Sequence, residues 1–448
     1  RPRSDAALTL DGTSSDPKSI DGMDGMDGMD GMDGMVNVGS LGSSDRCGGS
    51  GSPTETVRIS RGVRRLVRRL VTSSLRIYAG NWDGSGDWRA AMHASATACR
   101  VRFEPAQESD DGELRALLHK TPMGGSISVA FLREPEYFSA TRIQGPFTQV
   151  FIAKAGDQIV GAATRAVRPT FLNGKIIDGG YLSDLRILPA FRRGTTLARG
   201  YRYLRDLHRD GRTPIYTTVI VEDNETALRT VGANRADMPA YTDQGRILTP
   251  MISLTKRLPE IPADIRPATL KDLPAIVEKL NEPRMQFQPV HSEDNLLEGR
   301  FQNLRASNFR LLFRGGKLTG VMAAWDQRPF RQTVVKNYSG VVGALRPLVN
   351  LFRKPALPAT DEPLRFFYIA FSATDTIEDY RALLRSIYNE SIDSPLTHMI
   401  AGLHERDPRS VALRDYPQTH FAGRLFSVTF DGPVEIDDRI PYVEPALL

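Results

Sequence analysis

Residues 265–282 read IRPATLKDLPAIVEKLNE, a strand leading through a polar turn into a helix whose Leu270, Leu273, Ile276, Val277 and Leu280 share one apolar face. Residues 99–123, CRVRFEPAQESDDGELRALLHKTPM, set out the same grammar. There Val101 and Phe103 mark the strand, acids crowd the first helical turn, and Leu114, Leu117 and Leu118 face inward. Each stretch is followed by two apolar runs joined by a short glycine-containing turn, the signal of a hairpin. These are FTQVFIAKAGDQIVGAATRAVRP at 147–169 and FRLLFRGGKLTGVMAAWDQRP at 309–329. Each half then offers a strand, a helix, a strand, a short helix and a closing strand. In the first half these fall at 181–188, 195–209, 215–221, 225–231 and 247–254, and in the second at 366–371, 377–388, 398–403, 410–416 and 425–430. An α/β unit has been duplicated within the chain.

The bulk properties leave room for this. With 448 residues, 40% hydrophobic and 25% charged, the chain can build two or three ordinary domains. A net charge of +5 is modest at this length, so no specific nucleic-acid partner is expected from charge alone. Cys47 and Cys99 fit neither a disulfide framework nor a zinc site, which favours a reducing compartment, a cytoplasmic location and no metal. The longest apolar run, 341–352, is interrupted by Arg346, Pro347 and Asn350 and is too short to cross a bilayer.

Residues 1–52 are rich in Gly, Ser and Asp, and 21–35 are five tandem Asp-Gly-Met copies. Such composition lacks the branched and aromatic side chains that offset ordering entropy, so disorder is expected. A period of three matches no calcium-binding loop. Residues 57–76 carry seven arginines and no acid, with Val63, Leu66, Val67 and Leu70 at amphipathic-helix spacing. Contact with an anionic surface suits this arm, and so does plain solvation. The chain opens on Arg1, not Met, which points to a fragment or a misplaced start.

The ordered series of elements, found twice, resembles the GNAT (Gcn5-related N-acetyltransferase) family over about residues 100–432, and IRPAT..DLPAIVEKLN is similar to that family's opening. The expected fold is α/β: two tandem GNAT-like units, each a mixed, mostly antiparallel sheet flanked by helices, preceded by a disordered segment. The expected boundaries are 1–98 for the low-complexity segment and arm, 99–260 for an acyl-CoA-binding unit and 261–448 for a degenerate one.

The resemblance implies a site for acetyl-CoA or another acyl-CoA on the first unit. In the family, an Arg/Gln-x-x-Gly-x-Gly/Ala turn after the fourth strand cradles the pyrophosphate on backbone N–H groups and a helix start, where unpaired donors and a partial positive charge favour an anion. Arg192 falls on the family's arginine, followed by Arg193 and Gly194, whereas Thr195 and Leu197 stand at the two glycine positions. Gly194 can supply the flexible position one residue early, Thr195 and Thr196 offer hydroxyls, and the arginines pair with phosphate. The strand backbone at Leu185, Arg186 and Ile187 is expected to hold the pantetheine and thioester, and Asn224 to assist CoA or to cap its helix.

For chemistry, the resemblance implies direct attack by a primary amine, of a small molecule or a peptide. Asp184 is the first candidate base and Glu222 the second. The family's tyrosine acid is replaced by Val231, which leaves Tyr241 as candidate. A non-catalytic acyl-CoA-binding sensor or scaffold is the alternative. In the second unit, Asp375, Glu378 and Asp379 stand where a phosphate would dock, and no arginine pair or glycine precedes them. That unit is expected not to bind CoA. The insertion at 326–363 is expected to pack plainly or to act as a lid or contact.

Overall fold

A computed structural model describes residues 101–448 except 125–126, 193, 233–237, 298–299 and 353–354. The segment expected to be disordered, the arm at 57–76 and Arg193 lie outside the described residues. In chain order the first half supplies β1 (Arg102–Pro105), α1 (Asp111–Lys120), β2 (Ile127–Leu132), α2 (Tyr137–Thr141), β3 (Phe147–Ala155), β4 (Gln158–Leu172) and β5 (Lys175–Ile187). It continues through α3 (Thr196–His208), β6 (Tyr216–Val221), α4 (Glu225–Gly232), β7 (Ala240–Leu248) and β8 (Met251–Ser253). The second half supplies β9 (Asp264–Pro267), α5 (Leu273–Leu280), α6 (Glu293–Leu297), β10 (Phe309–Arg314), β11 (Lys317–Trp325), β12 (Gln332–Tyr338) and α7 (Gly340–Phe352). It ends with β13 (Phe366–Thr374), α8 (Ile377–Ser391), β14 (His398–Ile400), β15 (Leu403–His404), β16 (Gln418–Thr419) and β17 (Ala422–Thr429). The short helix expected at 410–416 is a 3₁₀ segment, Pro408–Asp415.

The strands form the two mixed sheets that the duplication implies. One runs β1-β3-β4-β5-β6-β17-β7-β15 and the other β16-β8-β14-β13-β11-β10-β9. From β1 to β6 and from β9 to β14 the two orders correspond strand for strand. Beyond those points the halves exchange: β17, from the end of the chain, lies antiparallel between β6 and β7, while β8, from the first half, pairs with β14. The two candidate units therefore complete each other's sheets. The ribbon β2–β12 makes another link between the halves, so part of the insertion is a contact between them. On α7, Leu345, Leu348 and Leu351 are exposed, which departs from plain packing.

Apolar periodicity explains which faces close. Leu114, Leu117 and Leu118 of α1 bury against Ile152, Ile159 and Ala162 on one face of the first sheet. Tyr201 and Leu204 of α3 bury against Phe151, Ala163, Leu182 and Tyr216 on the other. The C-terminal end of α3 is pinned by Arg165, whose side chain is fully buried. Its guanidinium donates to both oxygens of Asp210, at 2.8 and 2.7 Å, and to the Tyr216 hydroxyl at 3.0 Å. Charge-assisted and two-pronged, this is the stronger kind of hydrogen bond, and it fixes α3 against β4 and β6. No helix among the described residues is long and apolar enough to cross a membrane.

Candidate functional site

The site begins where two parallel strands part company. β5 and β6 are paired only at Gly180–Tyr216 and Tyr181–Thr217. Gly180 permits that approach, because a Cβ there would lie 2.1 Å from the Tyr216 ring. Beyond Tyr181, β5 runs on to Ile187 without β6, which pairs along its whole length with β17 on its other edge. A wedge opens between them, with α3 starting beyond its wide end.

Within that free stretch β5 carries a bulge. Thr164 faces Ser183 and Ala162 faces Arg186, so Asp184 and Leu185 on β5 stand opposite Ala163 alone. Asp184 has φ of 55°, a left-handed value uncommon for a non-glycine residue, and Leu185 is 51% exposed. A bulge frees backbone groups from the ladder and turns them toward a ligand. An ion pair to Arg133 holds it: the Asp184 side chain is 13% exposed and that of Arg133 is 4%. Arg133 also donates to Thr141 and lies 5.0 Å from the Tyr137 ring centroid. The Ser183 hydroxyl donates to Gln144 at 2.9 Å, while Gln144 Nε2 and Arg186 Nε are buried without a partner.

The turn after β5 leads from Ile187 to the start of α3. Arg192 Nε donates to the Ile187 carbonyl at 3.0 Å, folding the turn back on the strand end. Gly194 has φ of 96° with open space around it, so the left-handed position does fall one residue early. Thr195 stands at the helix cap without a side-chain capping bond, and Thr196 is buried in the first turn of the 13-residue α3. The Thr195 side chain therefore leaves the first N–H groups of α3 uncapped. Asn224 is a helix cap: its Oδ1 accepts from the Ala227 amide at 3.2 Å, and the residue itself is exposed.

The candidate catalytic residues separate into three environments. Asp184 is at the bulge but engaged by Arg133. Glu222, just past β6, is gripped by Arg246 at 2.6 and 2.8 Å, and that hydrogen bonding lowers its pKa, the wrong direction for a base. Tyr241, on β7, packs into the cluster that contains Val231, so a phenol reaches the neighbourhood of the substituted position from another strand. Its hydroxyl lies 2.8 Å from that of Tyr201, and burial raises its pKa well above the ordinary value. It stays protonated at neutral pH. Tyr201 and Arg133 were not among the sequence candidates; nothing local in the sequence marks them.

The second sheet repeats the bulge. Ala323 faces Ala370 and Val321 faces Ala373, leaving Phe371 and Ser372 opposite Met322, and Phe371 has φ of 49°. Here the bulge is already filled, because the Phe371 amide donates to Glu444 at 2.7 Å. Two of the three acids at the start of α8 are also paired, while Glu378 is exposed. Asp375 pairs with Lys279 and Arg284, at 2.6 and 2.5 Å, and Asp379 with Arg314 at 2.9 Å. What distinguishes this half is that its bulge is occupied by its own chain. A cavity of about 230 Å³ remains beyond it, lined by His291, Phe371, Thr374 and Tyr442 among others.

No family model and no curated protein matches the chain. Solved structures similar to it are GCN5-related N-acetyltransferases and N-myristoyltransferases. A GCN5-related N-acetyltransferase from Kribbella flavida is 12% identical, over 74% of this chain and 71% of that one, with a TM-score of 0.44. The N-myristoyltransferase of Saccharomyces cerevisiae with bound myristoyl-CoA is 10% identical, over 74% and 79%, at 0.49. A GCN5-related N-acetyltransferase from Anabaena variabilis is 10% identical, over 73% and 72%, at 0.42.

Proposed function

We propose that this chain is an acyl-CoA-dependent N-acyltransferase whose chemistry lies in the first half, residues 99–260 completed by β17, while residues 261–448 form a second, degenerate unit of the same kind. The observation that carries the reading is the vacant bulge at Asp184–Leu185, on the part of β5 that has left β6. The pantetheine lies along the β5 backbone at Leu185, Arg186 and Ile187, with the thioester carbonyl taking a hydrogen bond from the bulge. The pyrophosphate sits at the start of α3, on Gly194, Thr195 and Thr196, with Arg192 and Arg193 beside it. Asn224, exposed at the cap of α4, borders the same ligand.

In the transfer, the nitrogen of a primary amine attacks the thioester carbon, the N–C bond forms and the C–S bond breaks. The bulge stabilises the developing oxyanion. Tyr241 gives its proton to the departing sulfur and recovers one through Tyr201, while the amine loses its proton to water. Asp184 and Arg133 fix the bulge and act as positioning residues. Glu222 is a structural ion pair. The acyl group is acetyl or a longer chain, and the acceptor a small-molecule or peptide amine. The non-catalytic binder is the competing reading, favoured by the engagement of both candidate carboxylates with arginine.

Calorimetric titration with acetyl-CoA tests the site. Wild-type protein is expected to bind, and an Arg192→Ala, Arg193→Ala double variant to bind at least about tenfold more weakly, one lost phosphate contact being worth about 1.5–3 kcal/mol. Equal affinity in the two proteins would remove the pyrophosphate assignment.

A further inference from the structure

We propose that Arg168, Arg300 and His291 form a receptor for one oxyanion, and that the acyl acceptor is an amine carrying such a group several bonds from its nitrogen. This inference rests on the acyltransferase reading for the word acceptor, but the receptor stands on its own geometry.

Arg168, on β4, donates to the Gln144 carbonyl at 3.1 Å and lies 5.8 Å from the Tyr181 ring centroid. Arg300 lies 4.6 Å from the Phe301 ring centroid, and its Nε is buried without a partner. Among the described residues neither guanidinium is paired with a carboxylate; Glu444 acts on Arg168 only from a distance. Both are partly accessible to solvent, yet burial lowers both pKa values, that of Arg300 to about 10 with the charge of Arg168 adding to the effect. They are half-buried like charges, and each repels the other.

His291 joins them through the backbone. The Val290 amide donates to the Pro169 carbonyl at 2.9 Å, which ties the residue before His291 to the residue after Arg168. The imidazole is 8% exposed, its Nδ1 has no partner, and burial together with the two arginines drives its pKa to about 3. It is neutral and offers a hydrogen bond without a cost in charge. Its ring meets Phe371 at 5.3 Å and Phe301 at 6.4 Å, and Arg300 lies over that same Phe301, so His291 and Arg300 share an aromatic neighbour while the Val290–Pro169 bond brings Arg168 alongside.

Half-buried guanidiniums without a carboxylate partner are costly, and an oxyanion removes that cost while using the idle imidazole. Tyr181, under Arg168, precedes Asp184 by three residues, roughly 10 Å along an extended strand. An ω-amino acid or a peptide spans that distance from the bulge; a bare amine leaves the arginines unpaired. Carboxylate and phosphate share this chemistry.

The full chain is unfolded thermally with acetate or inorganic phosphate against chloride at matched ionic strength, as wild type, Arg300→Gln and Arg168→Gln. One anion is expected to raise the wild-type Tm by about 2–4 °C, acetate if the receptor is made for carboxylate and phosphate if for phosphate, and neither variant is to respond. Without added anion, the variants are expected to melt no lower than wild type, because each loses an unpaired charge. In transfer assays 6-aminohexanoate is expected to exceed its amide at least about tenfold in kcat/KM, a preference lost in Arg300→Gln. Equal responses of wild type and variants to the anions, or a fall of several degrees in both variants without them, would overturn the receptor. Equal turnover of acid and amide would overturn the acceptor class. Acetyl-CoA titration separates the two readings, since both variants retain wild-type affinity for it.

Discussion

Asp184 and Phe371 stand at corresponding bulges in the two sheets, with φ of 55° and 49°, and among the described residues only the second has its amide taken by a carboxylate. The strained backbone is present in both halves. The difference in use lies in what faces it.

Glu444 accepts from the Phe371 amide, the Tyr442 hydroxyl at 2.7 Å and the Ala446 amide at 3.4 Å. Glu444→Ala strands these buried donors and is expected to cost about 2–4 kcal/mol in urea denaturation. Affinity for acetyl-CoA is expected to stay within about twofold. A large loss of affinity would mean that the second bulge belongs to the acyl-CoA site.

At Gly194 a methyl group meets open space but an unfavourable φ of 96°. Gly194→Ala is expected to cost about 1–2 kcal/mol, as strain or as a rearranged turn. A rearranged turn no longer aims its amides, so calorimetry is expected to find acetyl-CoA bound about 5–10-fold more weakly. Unchanged affinity would place the pyrophosphate elsewhere.

The Arg165–Asp210 pair gives a pH signature. The hydrogen bond from Arg165 holds the Asp210 carboxyl below its ordinary range. A depressed folded-state pKa stabilises the protein above the unfolded value, near 4, and that contribution is lost as pH falls through the folded value. Asp210→Asn leaves the guanidinium of fully buried Arg165 short of its counter-charge and is expected to cost about 1–3 kcal/mol at pH 7. The gap in Tm between wild type and variant is expected to be full at pH 6 and to narrow as pH falls below the unfolded value, near 4. A gap independent of pH would assign the loss to packing.

Tyr241→Phe keeps the packing against Val231 and removes the hydroxyl that meets Tyr201. Steady-state kinetics are expected to give a kcat lower by about 10–100-fold with KM for the amine nearly unchanged. Glu222→Gln, which touches only a part-exposed ion pair with Arg246, is expected to change kcat by less than about threefold. The reverse ranking would exchange their roles.

Much of the fold was legible because the signal is local. The hairpin turns at 155–157 and 315–316 and the apolar faces of α1 and α5 are patterns within a few residues, and they lie where periodicity puts them, except that Leu270, expected on the α5 face, precedes the helix in a 3₁₀ turn and is 72% exposed. The exchange of β8 and β17 was not, since alternation says that a strand exists and not which sheet takes it. Charge misled at Asp375, because one of its partners, Lys279, is 96 residues away. Arg133 lies 51 residues from Asp184, and Glu444 lies 73 from Phe371. The left-handed turn at Gly194, by contrast, was readable, because a glycine stands there in the sequence.

Amine-dependent release of free thiol from acetyl-CoA, followed with a thiol reagent across primary amines and peptides, tests the central claim most directly. The account predicts that at least one amine accelerates release, and that the Arg192→Ala, Arg193→Ala variant loses the acceleration. Tight binding of acetyl-CoA with no amine raising the rate above hydrolysis would contradict transfer and leave a binding protein in its place.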